Sequence, residues 1–256
     1  MQEDNAIKLA VMAGEVMLAS GAETARVEDT MIRLMESCGY KYAESFCTTT
    51  GIFASGFTPD GEQVSMIRRL RSRENNFEKI AKVNDLSRNV ADGKINVVDA
   101  IRELEKISAI KPYPFVVRLF GSSVSSFCFA YMFGGTIFDA LAAFCAVFLM
   151  KFVVVFLERH KIVTVLCTIS GSMVAAVLSL ILVNFAFGSN IEYVIVGAIM
   201  PLLPGVALTN AIRDVLDGNM LAGSARTLEA LLTAIAIAAG VGTVFALWMS
   251  VFGGLV

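Results

Sequence analysis

Apolar and polar positions recur at helical spacing through the first part of the chain, then give way to long apolar runs. Residues 5–19 place Ile7, Leu9, Ala10, Ala13 and Met17 on one face, which predicts an amphipathic helix. Ser20 and Glu23 stand at capping-box spacing and predict a second helix that begins there and reaches about Cys38. Three short runs, "YAESFCTT", "GIFASGFT" and "EQVSMIRRL", come after it and read as strands. The "PDG" at 59–61 joins the last two as a turn. Amphipathic helices at about 75–92 and 96–109, with "DGK" between them, close an α+β module long enough to bury its own core. "KPYP" (111–114) is a stiff join to the apolar half of the chain.

Five apolar stretches come next, at about 116–133, 137–157, 162–183, 191–209 and 226–250. Each is close to the roughly 20 residues a helix needs to cross a bilayer core. The expected architecture is an α-helical polytopic membrane protein with five transmembrane helices and an N-terminal α+β cytoplasmic domain. The expected domains are 1–112 and 113–256. Lys111 stands before the first run and Arg118 at its start; Arg159 and Lys161 lie in the second connector, and Arg213 and Arg226 in the fourth, read as a loop over 210–226. The first and third connectors, "GGTIFD" and "FGSNIEY", carry neither Lys nor Arg. That alternation predicts a cytoplasmic N-terminus and an outside C-terminus. Asp139 and Glu192 are expected at outer ends of spans, exposed at the interface.

Charge sharpens the division. Residues 1–118 hold 16 Lys and Arg with 17 Asp and Glu, whereas 119–256 hold 5 and 6. A chain 56% hydrophobic and 17% charged, with net charge −2, has no basic stripe to bind nucleic acid. The N-terminus opens acidic and is broken by Lys8 and Glu15, unlike a secretory signal. The five cysteines form no CxxC pair and read as packing residues; one histidine, His160, largely excludes multi-histidine metal sites and histidine-based triads. No metal or cofactor is expected, and no enzyme, because the module shows no nucleophile–base–orienter set.

Within the fourth run, "PLLPGVALTNAIRDVLDGN" (201–219) interrupts lipid-grade hydrophobicity with Pro201, Pro204 and Gly205. The prolines are expected to split the span, and carbonyls freed inside hydrocarbon must face protein or water. Broken helices at mid-membrane commonly form solute sites. Thr209, Asn210, Arg213 and Asp214 come just after; the last three share a face, and Arg213 offers a bidentate fork for a carboxylate. The alternative is a proline-kinked packing helix with its charges among the headgroups. Ser122, Ser123, Ser125 and Ser126 either pack the first span or line a path.

In the module, Glu23, Arg26 and Glu28 fall in the first turns of the second helix, where Glu23 and Arg26 are spaced to pair. Thr50 ends a run of threonines before Gly51. Arg71, Arg73 and Asn76 belong to "RRLRSRENNFEKIAKVNDLSR", where interleaved acids and scarce aromatics favour docking over nucleic-acid binding.

"GAETARVEDTM", "TTTGIFAS", "RRLRSRENNFEKIAKVNDLSR" and "GAIMPLLPGVALTNAIRDVLDGN", in that order, resemble the threonine/serine exporter (ThrE) family, and more narrowly its split, YjjP-type branch. The resemblance covers about Leu9 to Gly242 and only the first half of fused members. It implies a secondary exporter subunit in the plasma (inner) membrane that moves small carboxylates: threonine and serine, or dicarboxylates such as succinate. It also implies a separate small membrane partner of the YjjB type. Membrane lipids are expected neighbours, and further copies of the chain are an open alternative. The matching positions are Gly21, Glu23, Arg26 and Glu28; Thr50 and Gly51; Arg71, Arg73, Asn76 and Asn84; and Pro201, Pro204, Gly205, Asn210, Arg213 and Asp214. The resulting assignment gives Pro201, Pro204, Gly205, Thr209, Asn210, Arg213 and Asp214 to the solute, and Glu23, Arg26, Glu28, Thr50, Arg71, Arg73 and Asn76 to gating or docking. The competing reading is a membrane-anchored regulatory or binding protein whose module is the effector.

Overall fold

In the computed structural model, residues 3–70 and 74–253 are described, except the side chains of residues 3 and 4. Arg71 and Arg73 lie outside the described residues. Helix α1 (Glu3–Ala19) ends in a Schellman motif: Gly21 adopts φ +88°, Gly21 N donates to Leu18 O at 3.2 Å, and Ala22 N donates to Met17 O at 3.0 Å. This corrects the expected capping box at Ser20 and Glu23. Gly21 spends those residues on stopping α1, so α2 (Thr24–Ser37) starts later, with Glu23 as N-cap and no side-chain bond from it to the helix.

Strands β1 (Lys41–Cys47), β2 (Gly51–Phe57) and β3 (Gln63–Arg69) form an antiparallel sheet in the order β1-β2-β3. The "PDG" turn appears as expected, with Gly61 at φ +90° and Thr58 N donating to Glu62 O at 2.8 Å. Helices α3 (Phe77–Ala91) and α4 (Val97–Ser108) are each N-capped by an asparagine: Asn76 accepts from Lys79 N, and Asn96 from Asp99 N. One core joins these elements, with Ile7, Met17, Met31, Ile52, Val83 and Leu104 inside.

The apolar half is helical: α5 (Phe115–Met132), α6 (Ile137–Arg159), α7 (Thr164–Asn184), α8 (Ile191–Ile199), a 3-10 turn (Met200–Leu202), α9 (Gly205–Leu216) and α10 (Met220–Phe252). Among the described residues, α5, α6, α7 and α10 are long and apolar enough to cross a membrane, and the interrupted pair α8–α9 makes up to a fifth span. The interruption falls where the prolines put it. Leu203 is extended (φ −66°, ψ 138°), Pro201 has no N–H for Gly197 O, and Pro204 has none for Met200 O. The Met200 carbonyl is taken instead by Leu203 N at 3.2 Å.

Two expectations change here. The stretch 210–226 is not a loop, because α9 runs to Leu216 and α10 already starts at Met220, around Gly218 at φ +85°. Asp139 is not interface-exposed: it is 1% exposed and completes a capping box with Thr136. Its Oδ1 also accepts from Ser189 N at 2.6 Å and Asn190 N at 2.9 Å.

The chain forms two compact units, Met1–Pro112 with Val206–Leu228, and Tyr113–Gly205 with Glu229–Val256. Small residues let helices of the second unit approach closely. A Cβ on Gly197 would stand 2.7 Å from Ala130 Cβ and 2.9 Å from Ser126 O. Ser123 and Ser126 are fully buried there, while Ser122 lines a cavity between α5 and α6.

Candidate functional site

The first unit contains a polar cluster built by the segment Val206–Leu228 on the α1–α2 connector. Helix α9 presents Asn210 and Asp214, four residues apart and both buried, on one face. Asn210 Nδ2 donates to Gly21 O at 2.8 Å. Asp214 Oδ1 accepts from Thr24 N at 2.9 Å, and its Oδ2 from Thr24 Oγ1 at 3.1 Å. The carboxylate therefore caps α2 from a position 190 residues away, where an anion also suits the positive end of the helix dipole. From the start of α10, Arg226 Nη2 donates to Ala22 O at 2.8 Å, and Nε lies 3.2 Å from Asp214 Oδ2. Thus Gly21, Ala22, Glu23 and Thr24, four consecutive residues, are each held by a side chain from α9 or α10.

Arg213 faces outward on α9. Its Nη1 pairs with Glu23 Oε1, and its side chain is 56% exposed against 21% for Glu23. The expected Glu23–Arg26 pair is thereby corrected: Glu23 takes the distant arginine, and Arg26 stands exposed on α2. Glu28 closes the other end of the cluster, accepting from Cys47 N at 2.7 Å and from Asn219 Nδ2 at 3.3 Å. The remaining docking candidates serve local structure. Thr50 sits in the β1–β2 turn, its carbonyl accepting from Leu70 N, and Asn76 caps α3. Thr209 is exposed at the first turns of α9.

Chemically, the cluster has one buried part and one open part. Asp214 and Arg226, with side chains 0% and 6% exposed, pair with each other while Asp214 caps Thr24 and Arg226 bonds Ala22 O. The Arg213–Glu23 pair is a guanidinium already bound to a carboxylate within reach of solvent. Burial pushes the Glu28 carboxyl above its ordinary 4.5, against the hydrogen bonds from Cys47 and Asn219. Burial, reinforced by Glu28, also pushes the Cys47 thiol up to about 12, so it stays a packing residue. Among the described residues, no group of three or more His, Cys, Asp or Glu is placed to hold a metal ion.

The Glu28 shift has a defined sign. The folded chain holds this proton more tightly than the unfolded chain. Its contribution to stability is therefore fully present below about 4.5 and is lost as pH rises through the raised value. Glu28→Gln, whose amide oxygen still accepts from Cys47, is expected to flatten that part of the pH–melting profile. An identical slope in the variant would reassign it to other groups.

Sequence reasoning missed Thr24, Asn219 and Arg226 in this cluster. The available signal was Arg226 itself, an arginine twelve residues after Asp214 at the mouth of an apolar run.

Residues 8–248 match the family described as "Putative threonine/serine exporter" (ThrE). The chain is similar to the "Threonine/serine exporter" of Corynebacterium glutamicum, 27% identical over 92% of this chain and 50% of that protein. It is also similar to the "Probable succinate transporter subunit YjjP" of Escherichia coli, 23% identical over 96% of each. A third relative, the "Probable threonine/serine exporter" of Mycobacterium tuberculosis, is 24% identical over 92% of this chain and 45% of its own length. The chain thus spans about half the length of the two full exporters and nearly all of the subunit. No solved structure matches it.

Proposed function

Because the chain belongs to the threonine/serine exporter family, we propose that it is one subunit of a secondary exporter of small carboxylates, working with a separate small membrane partner. The solutes are threonine and serine or a dicarboxylate such as succinate, the classes named by its relatives. Near-full coverage of a protein named as a subunit, against half coverage of the full exporters, supports the need for a partner. Lys111 before α5 and Arg159 and Lys161 at the end of α6, against connectors after α5 and α7 that carry neither Lys nor Arg, support a cytoplasmic N-terminus, and five spans then put the C-terminus outside, in the plasma membrane.

The observation that carries the reading is the Arg213–Glu23 pair. An accessible guanidinium that already binds a protein carboxylate can exchange it for a solute carboxylate with the same fork. Asn210 and Thr209 stand on the same helix, and Pro201, Pro204 and Gly205 supply the break ahead of it. Glu23 then acts as gate, holding Arg213 until a solute replaces it, while Glu28 and Asp214 keep the connector in place.

Arg213→Ala is expected to cut export about tenfold or more, the equivalent of one charge-assisted hydrogen bond of roughly 1.5–3 kcal/mol. As the pair is exposed, its loss should cost under about 1 kcal/mol of stability, so insertion and melting stay near wild type. Efflux of labelled threonine and succinate from vesicles, with the chain alone and with its partner, reads the result. Wild-type efflux in Arg213→Ala would remove Arg213 from the solute path.

A further inference from the structure

A second charged feature lies wholly within the unit Tyr113–Gly205. Lys151 is eight residues before the end of α6 at Arg159, about 12 Å at ~1.5 Å per residue, and so lies inside a span whose other charged residues, Asp139, Glu158 and Arg159, stand near its two ends. Lys151, Val154, Val155 and Glu158 stand at i, i+3, i+4 and i+7, forming one stripe of α6. Opposite them, α5 presents Phe115, Arg118, Leu119 and Ser122. The two stripes enclose a cavity of about 360 Å³, within the range of small-molecule sites. Its charged lining is Arg118, Lys151 and Glu158, with Ser122 as a hydroxyl.

An ionised side chain at this depth is costly in hydrocarbon, and such groups normally pair or face water. Lys151 lies within electrostatic range of Glu158 and Arg118. Yet among the described residues it forms no ion pair, since no carboxylate oxygen comes within 4.0 Å of its Nζ. Two cations facing one carboxylate across an open space leave one net positive charge. Packing alone has no use for that arrangement, whereas an anionic guest neutralises it.

We infer that the cavity between α5 and α6 is a binding site for a small carboxylate, its carboxyl group held by Lys151 and Arg118 and its other polar end set against Glu158. The inference rests on the exporter reading and adds a second solute site, on residues that the Arg213 assignment does not use. Glu158 sets the selectivity. The ammonium and hydroxyl of an amino acid such as threonine donate to it, while the second carboxylate of succinate is repelled by it.

The test measures binding of L-threonine and of succinate to the full chain in lipid nanodiscs by calorimetry. Lys151→Gln, which removes a charge from hydrocarbon and so spares insertion, is expected to weaken binding at least tenfold. Lys151→Arg should stay within about threefold of wild type, and Arg118→Gln should reproduce the loss with an independent substitution. Glu158→Gln should weaken threonine and strengthen succinate, a reversal that general destabilisation cannot produce. Wild-type affinity in both Lys151→Gln and Arg118→Gln would overturn this site and leave the exporter reading standing. Binding of neither probe by the wild-type chain would likewise overturn this site, while the exporter reading is decided separately by efflux from vesicles that also hold the partner.

Discussion

Asp214→Ala is expected to cost the first unit about 3–5 kcal/mol, because it breaks a buried charge pair by removing one partner. Arg226 would remain buried with its guanidinium facing an emptied pocket, and Thr24 N, the first amide of α2, would lose its acceptor. The cap alone is worth about 1 kcal/mol. Against a domain stability of about 5–15 kcal/mol this is a large fraction, and it corresponds to a fall in melting temperature on the order of 10 °C. Thermal melting of the full chain reads the total, and hydrogen exchange at the α2 amides reads its location. Adding Arg226→Met should recover much of the loss, since an apolar replacement for a buried pair is often neutral. A single Asp214→Ala variant that melts with the wild type would mean that the carboxylate does not hold α2.

That expectation also shows where sequence reading stops. The apolar runs could be found from hydropathy alone, and α5, α6 and α7 begin and end within two residues of where those runs place them. The break could be found because proline chemistry is local. The fate of residues 210–226 was not, because Asn210, Arg213 and Asp214 look like loop polarity until their partners at 21–24 are known, some 190 residues away. The α2 cap failed for a different reason. Ser20 and Glu23 satisfy a capping box by spacing, but Gly21 between them also satisfies a Schellman stop, and the stop prevails because only Gly21 reaches φ +88° without cost. Asp139 carried a legible signal that hydropathy overrode: Thr136 and Asp139 stand at capping-box spacing ahead of an apolar run. Lys151 passed unnoticed because one lysine barely lowers the mean of a 23-residue span.

Replacing Pro201 and Pro204 together, by alanine and leucine, is expected to raise stability and abolish export. Each interior proline costs a helix about 3 kcal/mol, through a missing donor and a steric clash. Without them the amide at 201 can serve Gly197 O and the amide at 204 can serve Met200 O, each bond worth about 1 kcal/mol. Leu203, extended at ψ 138°, is then free to take up helical backbone at ψ about −42°. A packing kink or a passive anchor predicts that such a variant works as well as the wild type. A solute route built on the break predicts a higher melting temperature and efflux reduced at least about tenfold in the same protein. Those opposite signs matter, because lost export with lost stability would point to misfolding and retained export would return the break to packing. Only a stabler, inactive chain is what a functional interruption requires, since a helix broken in hydrocarbon is retained against its cost only where the break meets water or a guest.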